Sequence, residues 1–224
     1  MNRFADRTEA GQVLARVMAE RNYPDPVVLA LPRGGVPVAI EVARTLKAPM
    51  DLVMVRKIGV PQQPELAAAA IVNGDDPQLV VNQFIAAQTG LSQADIERLA
   101  QTQLELIRQR REKYLKGRDQ VPIKGRTVII VDDGIATGAT MRASLKAVRR
   151  REPAKLVLAV PVAPQDTIEQ LRIEVDDLVC LRVPEFFGGV GAHYLRFAQT
   201  TDEEVIRLMD EAADFFSAKK HDSL

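Results

Sequence analysis

One stretch of thirteen residues, Val128–Thr140, constrains the fold of this chain more than any other part of its sequence. Four apolar residues that favour β-structure lead directly into two adjacent carboxylates, Asp132 and Asp133, and then into a loop of small residues and a helical pattern. This order predicts a buried strand that ends in a sharp turn into a helix. Such a turn aims several backbone N–H groups at one point beside the positive end of a helix dipole, where a phosphate fits. The two carboxylates can hold hydroxyls or a magnesium-bound group close by.

Two other phosphate-binding loops are excluded by the same residues. A P-loop requires a lysine after its second glycine, but Ala139 follows Gly138, and Gly134 has the wrong spacing. A Rossmann fingerprint places its acidic residue about twenty residues after the glycines, whereas here the acids come first. A plain Asp-Gly turn after a buried strand is the remaining alternative.

Strands and helices alternate along the rest of the chain. The pattern predicts an α/β fold with a mostly parallel sheet and helices on both faces, in a single domain that spans residues 1–224. The predicted helices lie at 8–22, 35–47, 92–116, 165–172 and 202–217, and the further strands at 27–31, 50–56, 68–72, 79–81, 156–160 and around Cys180. A loop rich in Pro and Gln is expected after Lys57, and Asn73–Asp76 is a candidate hairpin turn.

Composition narrows the possible partners. Lys plus Arg and Asp plus Glu each number 30, so the net charge is zero, and no nucleic-acid partner is expected. No apolar run approaches the roughly 20 residues that span a bilayer. The first residues contain no apolar stretch of signal-peptide length, so we expect a cytoplasmic protein without membrane contact. The single cysteine, Cys180, is predicted to be a buried, inert thiol.

The stretch from Val128 to Thr140 resembles the phosphoribosyl diphosphate (PRPP) signature of type I phosphoribosyltransferases. The resemblance implies that Asp132 and Asp133 are catalytic residues that hold the ribose 2′- and 3′-hydroxyls. The residues that would wrap the 5′-phosphate are Ala136, Thr137, Gly138, Ala139 and Thr140. Mg²⁺ is the implied cofactor, held by PRPP near the acid pair. Because adjacent carboxylates repel, we expect Asp133→Asn to weaken PRPP binding while the stability of the ligand-free protein holds or rises.

Two further segments resemble the parts of the family that meet pyrophosphate. The loop after the first core strand carries Arg33 and Gly34, which the resemblance assigns to pyrophosphate binding. Glycine lets the backbone approach a ligand, and a guanidinium fork suits a diphosphate. Lys57 opens the segment that corresponds to a mobile, closing loop, and it is the candidate for bringing positive charge to pyrophosphate during catalysis. Solvated basic residues at a strand end, Arg56 and Lys57, are the alternative. The segment 57–118 then combines a flexible loop with a helical insertion.

The segment 184–200 concentrates aromatic residues and glycines in a chain with only 4% aromatics. In the family the acceptor base lies beneath a variable hood, so the resemblance implies a hood here, with Phe186 or Phe187 as a stacking platform and Ile135 as a further acceptor contact. Aromatic residues that simply fasten the loop to the core are the alternative. Ala136 stands where 6-oxopurine enzymes carry an aspartate for the purine ring, which disfavours hypoxanthine and guanine.

The implied activity is that of a pentosyltransferase. It transfers the 5-phosphoribosyl group of PRPP to a nitrogenous, nucleobase-like acceptor and releases pyrophosphate, and a homodimer is a possible assembly. A PRPP-binding regulatory protein without turnover is an alternative of a different class. Such proteins usually carry a DNA-binding module, and the 26 residues before the first core strand are too few for one. A competence-type protein that binds single strands would need a basic, aromatic-rich face, which this composition does not supply.

Overall fold

The computed structural model describes residues 3–61, 63–72 and 77–221. The elements, in chain order, are α1 (Arg7–Ala19), β1 (Pro26–Ala30), α2 (Gly35–Leu46), β2 (Met50–Leu52), β3 (Val55–Val60), β4 (Gln63–Val72), β5 (Gln78–Val81), α3 (Gln83–Thr89), α4 (Gln93–Leu115), β6 (Thr127–Val131), α5 (Ala139–Arg149), β7 (Lys155–Val162), α6 (Gln165–Arg172), β8 (Asp177–Arg182), a 3₁₀ turn (Val190–His193) and α7 (Asp202–His221).

A five-stranded parallel sheet forms the centre of the molecule, in the order β2-β1-β6-β7-β8. The chain leaves β1 toward β2 on one side and returns to β6 on the other. The carboxyl ends of β1 and β6 therefore adjoin at the point where the strand order reverses, and α/β proteins bind ligands in the crevice at such a point.

The side chains of β1 alternate between two hydrophobic layers. Val28 and Ala30 pack in a cluster with residues of α1, α2, α4 and α7, whereas Val27 and Leu29 pack in a second cluster with residues of α5 and α6. Because successive side chains of a strand point to opposite faces, this alternation means that helices cover both faces of the sheet. The predicted fold class is confirmed.

The structure departs from prediction in the segment after β2. The strand expected at 50–56 is two strands, since β2 ends at Leu52 and β3 begins at Val55. The irregular loop expected from Lys57 is wrong: Lys57 pairs with Ala70 in an antiparallel sheet of order β3-β4-β5. Gly59 and the prolines of this segment, which predict a loop in the sequence, lie instead in the β3–β4 hairpin. The pairing register of that hairpin shifts at Gly59. The candidate turn 73–76 lies outside the described residues.

The long helix predicted at 92–116 is confirmed as α4. Ser92 caps it in a reciprocal capping box with Asp95, as the sequence indicates. The helix ends at Leu115, and its C-cap residue, Lys116, has a left-handed φ of 51°. The preceding short helix α3 was not predicted. Within residues 3–61, 63–72 and 77–221, the structure contains no helix with the length and apolar character needed to cross a membrane.

Cys180 lies on the edge strand β8 and is partly buried. Burial raises the pKa of its thiol to about 11, so the thiol is protonated at neutral pH. A protonated thiol is a poor nucleophile, in agreement with the expected inert role.

Candidate active site

The loop after β1 lies directly against the acid pair that follows β6. The N–H of Leu31 donates to the carbonyl oxygen of Val131 at 3.0 Å, which carries the pairing one residue beyond β1. A Cβ atom at Gly34 would lie 2.2 Å from Oδ2 of Asp133, and one at Gly35 would lie 2.8 Å from the Val131 carbonyl oxygen. Only residues without a Cβ atom permit this approach, so the two glycines bring the two loops together.

The acid pair concentrates negative charge in a partly buried position. Burial raises the pKa of Asp132 well above its ordinary value of 3.8, and the charge of Asp133 raises it further. The backbone N–H of Asp133 donates to Oδ1 of Asp132 at 2.8 Å and opposes that shift. Because both effects on Asp132 disfavour its ionised form, a ligand that brings hydroxyl donors or a cation would be stabilised here.

Arg7, at the start of α1, reaches Asp133 from a distant part of the chain. Its Nε lies 2.7 Å from Oδ2 of Asp133, and the two side chains are 12% and 13% exposed. The same guanidinium donates to the carbonyl oxygen of Ala198 at 2.6 Å and lies over the ring of Phe197, 3.9 Å from its centroid. No local pattern in the sequence indicates this contact, because the two residues are 126 positions apart.

This ion pair bears on the expected effect of Asp133→Asn on stability. Burial raises the pKa of Asp133, but the hydrogen bond and charge of Arg7 act in the opposite direction. Removing the Asp133 charge would therefore leave the Arg7 guanidinium with an unmet partner in a nearly buried position, which costs stability. We therefore expect Asp133→Asn to lower the stability of the ligand-free protein. Unchanged or higher stability is expected for Asp132→Asn, because Asp132 has no ion-pair partner among the described residues.

The five residues predicted to wrap a 5′-phosphate form the turn from β6 into α5. Gly138 has a left-handed φ of 73° and caps α5 without a side-chain hydrogen bond. The Thr167 hydroxyl fixes the turn by donating to the carbonyl oxygen of Ala136 at 2.7 Å. The exposed members of the turn are Ala136, Thr137, Ala139 and Thr140. Since no side chain caps α5, the N–H groups of its first turn are available to an anion.

Arg33, predicted at the pyrophosphate, lies in an ion pair with the first residue of α7. Its Nη1 is 3.4 Å from Oδ1 of Asp202, and the peptide bond between Pro32 and Arg33 is cis. Asp202 also accepts hydrogen bonds from Lys113 and Tyr114 of α4, each at 2.6 Å. These bonds, that of Lys113 above all, lower the pKa of Asp202 to about 2. Arg33 is therefore held at the edge of the loop by α4 and α7 together.

Lys57 lies on the other side of the site. It is exposed on β3 and lines a cavity of about 500 Å³ between the antiparallel sheet and α5, together with Ala139, Thr140 and Arg142. Lys57 thus shares this cavity with two residues predicted at the 5′-phosphate, whereas the sequence predicts a contact of Lys57 with pyrophosphate beside Arg33.

The hood segment forms a second, larger cavity of about 730 Å³ beyond the end of β8. Phe186 is 81% exposed at its rim. Phe187 stacks on His193 with ring centroids 5.5 Å apart, and Nε2 of His193 lies 2.7 Å from the Phe187 carbonyl oxygen. His193 thus stabilises the shape of the loop. Arg3 and Arg182 also line the cavity.

The hood is tied to the acid loop at two points. The Tyr194 hydroxyl donates a short hydrogen bond to the carbonyl oxygen of Asp133. A Cβ atom at Gly134 would lie 2.6 Å from Cγ1 of Val190, so the hood rests directly on that glycine. Ile135, predicted to touch the acceptor, is only 4% exposed and packs in the hydrophobic cluster shared with α5 and α6.

The described residues contain no group of three or more His, Cys, Asp or Glu side chains that could hold a metal ion. The carboxylates closest to the two glycine loops are Asp132 and Asp133. A metal ion at this site would therefore depend on oxygen atoms that a ligand brings with it.

A parallel sheet with an acid pair at its switch point, a glycine-rich loop against that pair and an uncapped helix start beside it define the type I phosphoribosyltransferase class of α/β proteins. The chain matches the family described as "Phosphoribosyl transferase domain" over residues 5–195, and it belongs to that family. The resemblance inferred from the signature is confirmed.

Two proteins and one crystal structure are closely similar to the chain. Two Mycobacterium tuberculosis proteins, both named "Putative phosphoribosyl transferase", from strains CDC 1551 / Oshkosh and ATCC 25618 / H37Rv, are each 45% identical over 219 residues, 97% of this chain and 49% of theirs. The chain thus spans about half the length of these curated relatives. The crystal structure of TT1426 from Thermus thermophilus is 44% identical, with a TM-score of 0.82 over 93% of this chain and 98% of that one.

Proposed function

We propose that the protein transfers the 5-phosphoribosyl group of PRPP to a nitrogen atom of a small acceptor and releases pyrophosphate. One observation carries the proposal: the acid pair touches Gly34 and adjoins the uncapped start of α5. PRPP carries a phosphate, a ribose diol and a diphosphate in sequence. The N–H groups of α5, the two carboxylates and the loop after β1 offer matching groups in the same sequence.

In the proposed reaction, the bond from the anomeric carbon to the pyrophosphate oxygen breaks as the acceptor nitrogen forms its own bond to that carbon. The ribose ring carries partial positive charge at the transition state. Asp132 and Asp133 hold the hydroxyls and stabilise that charge, while the first turn of α5 fixes the 5′-phosphate and hence the sugar. Arg33 attracts the leaving pyrophosphate. Lys57 lines a cavity with Thr140, so its proposed contact is the 5′-phosphate.

Magnesium fits this site as an ion carried by the ligand. It prefers oxygen ligands and commonly retains contacts to phosphate and water, with only one or two carboxylates nearby. The raised pKa of Asp132 reflects buried negative charge that a cation would relieve. When bound, magnesium would neutralise charge on the departing pyrophosphate.

The cavity beneath the hood is the proposed acceptor site. Its volume of about 730 Å³ lies within the roughly 300–1,000 Å³ that is usual for small-molecule sites. Phe186 and Phe187 offer aromatic surface on which a planar heterocycle can stack. Ala136 provides no carboxylate for a purine ring, so a 6-oxopurine is not the acceptor we propose. A single domain over 1–224, a homodimer, a cytoplasmic location and the absence of nucleic-acid or membrane partners stay predictions.

The decisive test is a pyrophosphate-release assay with PRPP, Mg²⁺ and a panel of nitrogenous heterocycles, beside a thermal-shift measurement with PRPP and Mg²⁺. Release with at least one acceptor, together with a PRPP-dependent rise in melting temperature, supports the enzyme. A thermal shift with no release for any acceptor favours a regulatory protein that binds PRPP without turnover. No shift at millimolar PRPP contradicts both.

A further inference from the structure

The inserted helix α4 lays one face against the loop after β1. Ile107 and Arg110, one helical turn apart, line a small cavity together with Pro32 of that loop and Arg56 of β3. Thr140, from the first turn of α5, is also part of the wall. The cavity therefore joins the loop after β1 to the 5′-phosphate loop. Its volume of about 60 Å³ exceeds the roughly 10–15 Å³ that one water needs, so it can hold a group larger than a single water.

The wall of this cavity is positively charged. Arg56 and Arg110 line it, and among the residues that the structure describes no Asp or Glu does. Neither guanidinium forms an ion pair with a carboxylate of the described residues, whereas Arg108 and Arg111 on the same helix pair with Glu105 and Asp51. Two guanidinium groups that share a pocket without a carboxylate repel each other, and an anion between them relieves that repulsion.

The face of α4 that carries Arg110 points toward Arg33. Tyr114 lies one turn after Arg110 on the same face, and its hydroxyl donates to Asp202, the partner of Arg33. Burial raises the pKa of Tyr114 to about 12, and the charges of Arg110 and Arg33 both oppose that rise. The charges of both arginines therefore reach one phenol, which agrees with Arg33 and Arg110 lying in the same region of the molecule.

We propose that Arg110, together with Arg56, binds the pyrophosphate group of PRPP. The inserted helix then supplies the positive charge that the sequence interpretation had assigned to Lys57. A guanidinium presents a planar set of donors that matches two oxygens of one phosphate group. Arg33, in the loop after β1, would supply a third guanidinium to the same pyrophosphate. This proposal rests on the proposed function, because it assigns residues to one part of the same substrate.

The experiment compares two ligands on matched variants. Arg110→Met keeps most of the side-chain length and removes the charge, and Arg110→Lys keeps a charge without the planar fork. Arg108→Met removes the same charge two residues away, from a side chain that is 65% exposed and does not line the cavity. Titration calorimetry measures the dissociation constants of magnesium pyrophosphate and of ribose 5-phosphate for each variant and for the wild type.

We expect Arg110→Met to weaken pyrophosphate binding at least tenfold and to leave ribose 5-phosphate binding within twofold of the wild type. Arg110→Lys is expected to lie between them, Arg56→Met to repeat the selective loss, and Arg108→Met to match the wild type. Unchanged pyrophosphate affinity in Arg110→Met overturns the proposal, and so does an equal loss for both ligands, which marks general damage. If the wild-type protein binds neither PRPP nor pyrophosphate, the proposed function is wrong as well. If the wild type binds PRPP and Arg110→Met binds pyrophosphate equally well, only the assignment of Arg110 is wrong.

Discussion

The carboxyl ends of β6 and β1 both lead into loops that contain glycine, but the charges around the two loops are opposite in sign. At β6, two partly buried carboxylates lie beside one arginine, Arg7, so the negative charge there exceeds the positive charge. Around the loop after β1, Arg56 and Arg110 line a cavity to which the described part of the chain contributes no carboxylate. Gly34 and Gly35 bring these two regions into contact. One half of the candidate site is therefore negatively charged and the other half positively charged. A ligand with a diol or cation at one end and a polyanion at the other would therefore meet complementary charge at both ends.

Asp133→Asn is expected to have the largest effect. PRPP binding should weaken by about 2–4 kcal/mol, because a charged partner of a buried ligand is lost. The ligand-free protein should lose about 1–3 kcal/mol of stability, because the Arg7 guanidinium is only 12% exposed and loses its carboxylate. Calorimetry and chemical unfolding measure the two effects. Asp25→Asn is the control, since Asp25 pairs with Arg126 at 66% exposure and should change stability little. Unaltered PRPP affinity would remove the sugar-binding role of Asp133.

Gly34→Ala tests the contact between the two regions. The added Cβ atom would lie 2.2 Å from Oδ2 of Asp133, which Arg7 holds in place, so the loop or the acid must shift. We expect about 1–3 kcal/mol of destabilisation from overpacking and at least a tenfold loss of PRPP affinity. Gly90→Ala is the control: it meets no atom within 4 Å, but its φ of 66° strains the backbone. It should lower the melting temperature and leave PRPP affinity unchanged. A Gly34→Ala protein with wild-type affinity would show that the close contact is dispensable.

Asp132→Asn should raise the stability of the ligand-free protein at neutral pH by about 1 kcal/mol, or roughly 2–4 °C in melting temperature. The pKa of Asp132 is raised in the folded state, so deprotonation costs the fold free energy. Wild-type stability should therefore decline as pH rises from about 4 through the raised pKa, and the variant should lack this decline. Melting curves between pH 4 and pH 8 check the sign. A variant that is less stable than the wild type at pH 7 would contradict the assignment of excess negative charge to Asp132.

Asp202→Asn should have the smallest effect and acts on the positive region. Its pKa is lowered to about 2, so the stability it contributes is present above about pH 4 and is lost as pH falls toward 2. Removing this charge should cost about 1 kcal/mol at pH 7 and increase pyrophosphate affinity a few-fold, because a carboxylate beside Arg33 is gone. Asp210→Asn, which breaks similar pairs with Lys116 and Arg118, should cost about as much stability and leave affinity unchanged. Equal pyrophosphate affinity in the two variants would show that Asp202 does not influence pyrophosphate binding.

The sequence predicts the two regions unequally, for a physical reason. The turn from β6 into α5 is encoded in consecutive residues, so apolar strand, acids and Gly138 specify it locally, and the structure confirms the strand-to-helix turn. The long helix was predicted from its cap at Ser92 and its apolar period. The contact of α4 with the loop after β1 could not be predicted from the sequence. The side chains that make it are far apart in the chain and meet only in the folded protein. Arg7, Arg110 and Asp202 are side chains of this kind. In the sequence alone they look like ordinary charged surface residues.

The Asp202 junction also has a consequence for the order in which the molecule assembles. This carboxylate bonds Arg33, Lys113 and Tyr114, which are 169, 89 and 88 positions away in the chain. Closing such long loops costs entropy before any contact compensates, so contacts of this kind tend to form late. We expect the central sheet and the turn into α5 to form first, and the loop that carries Arg33 to reach its final shape only when α7 docks. The proposed sugar-binding part of the site would then take shape before the proposed pyrophosphate-binding part, and the docking of α7 would complete the latter.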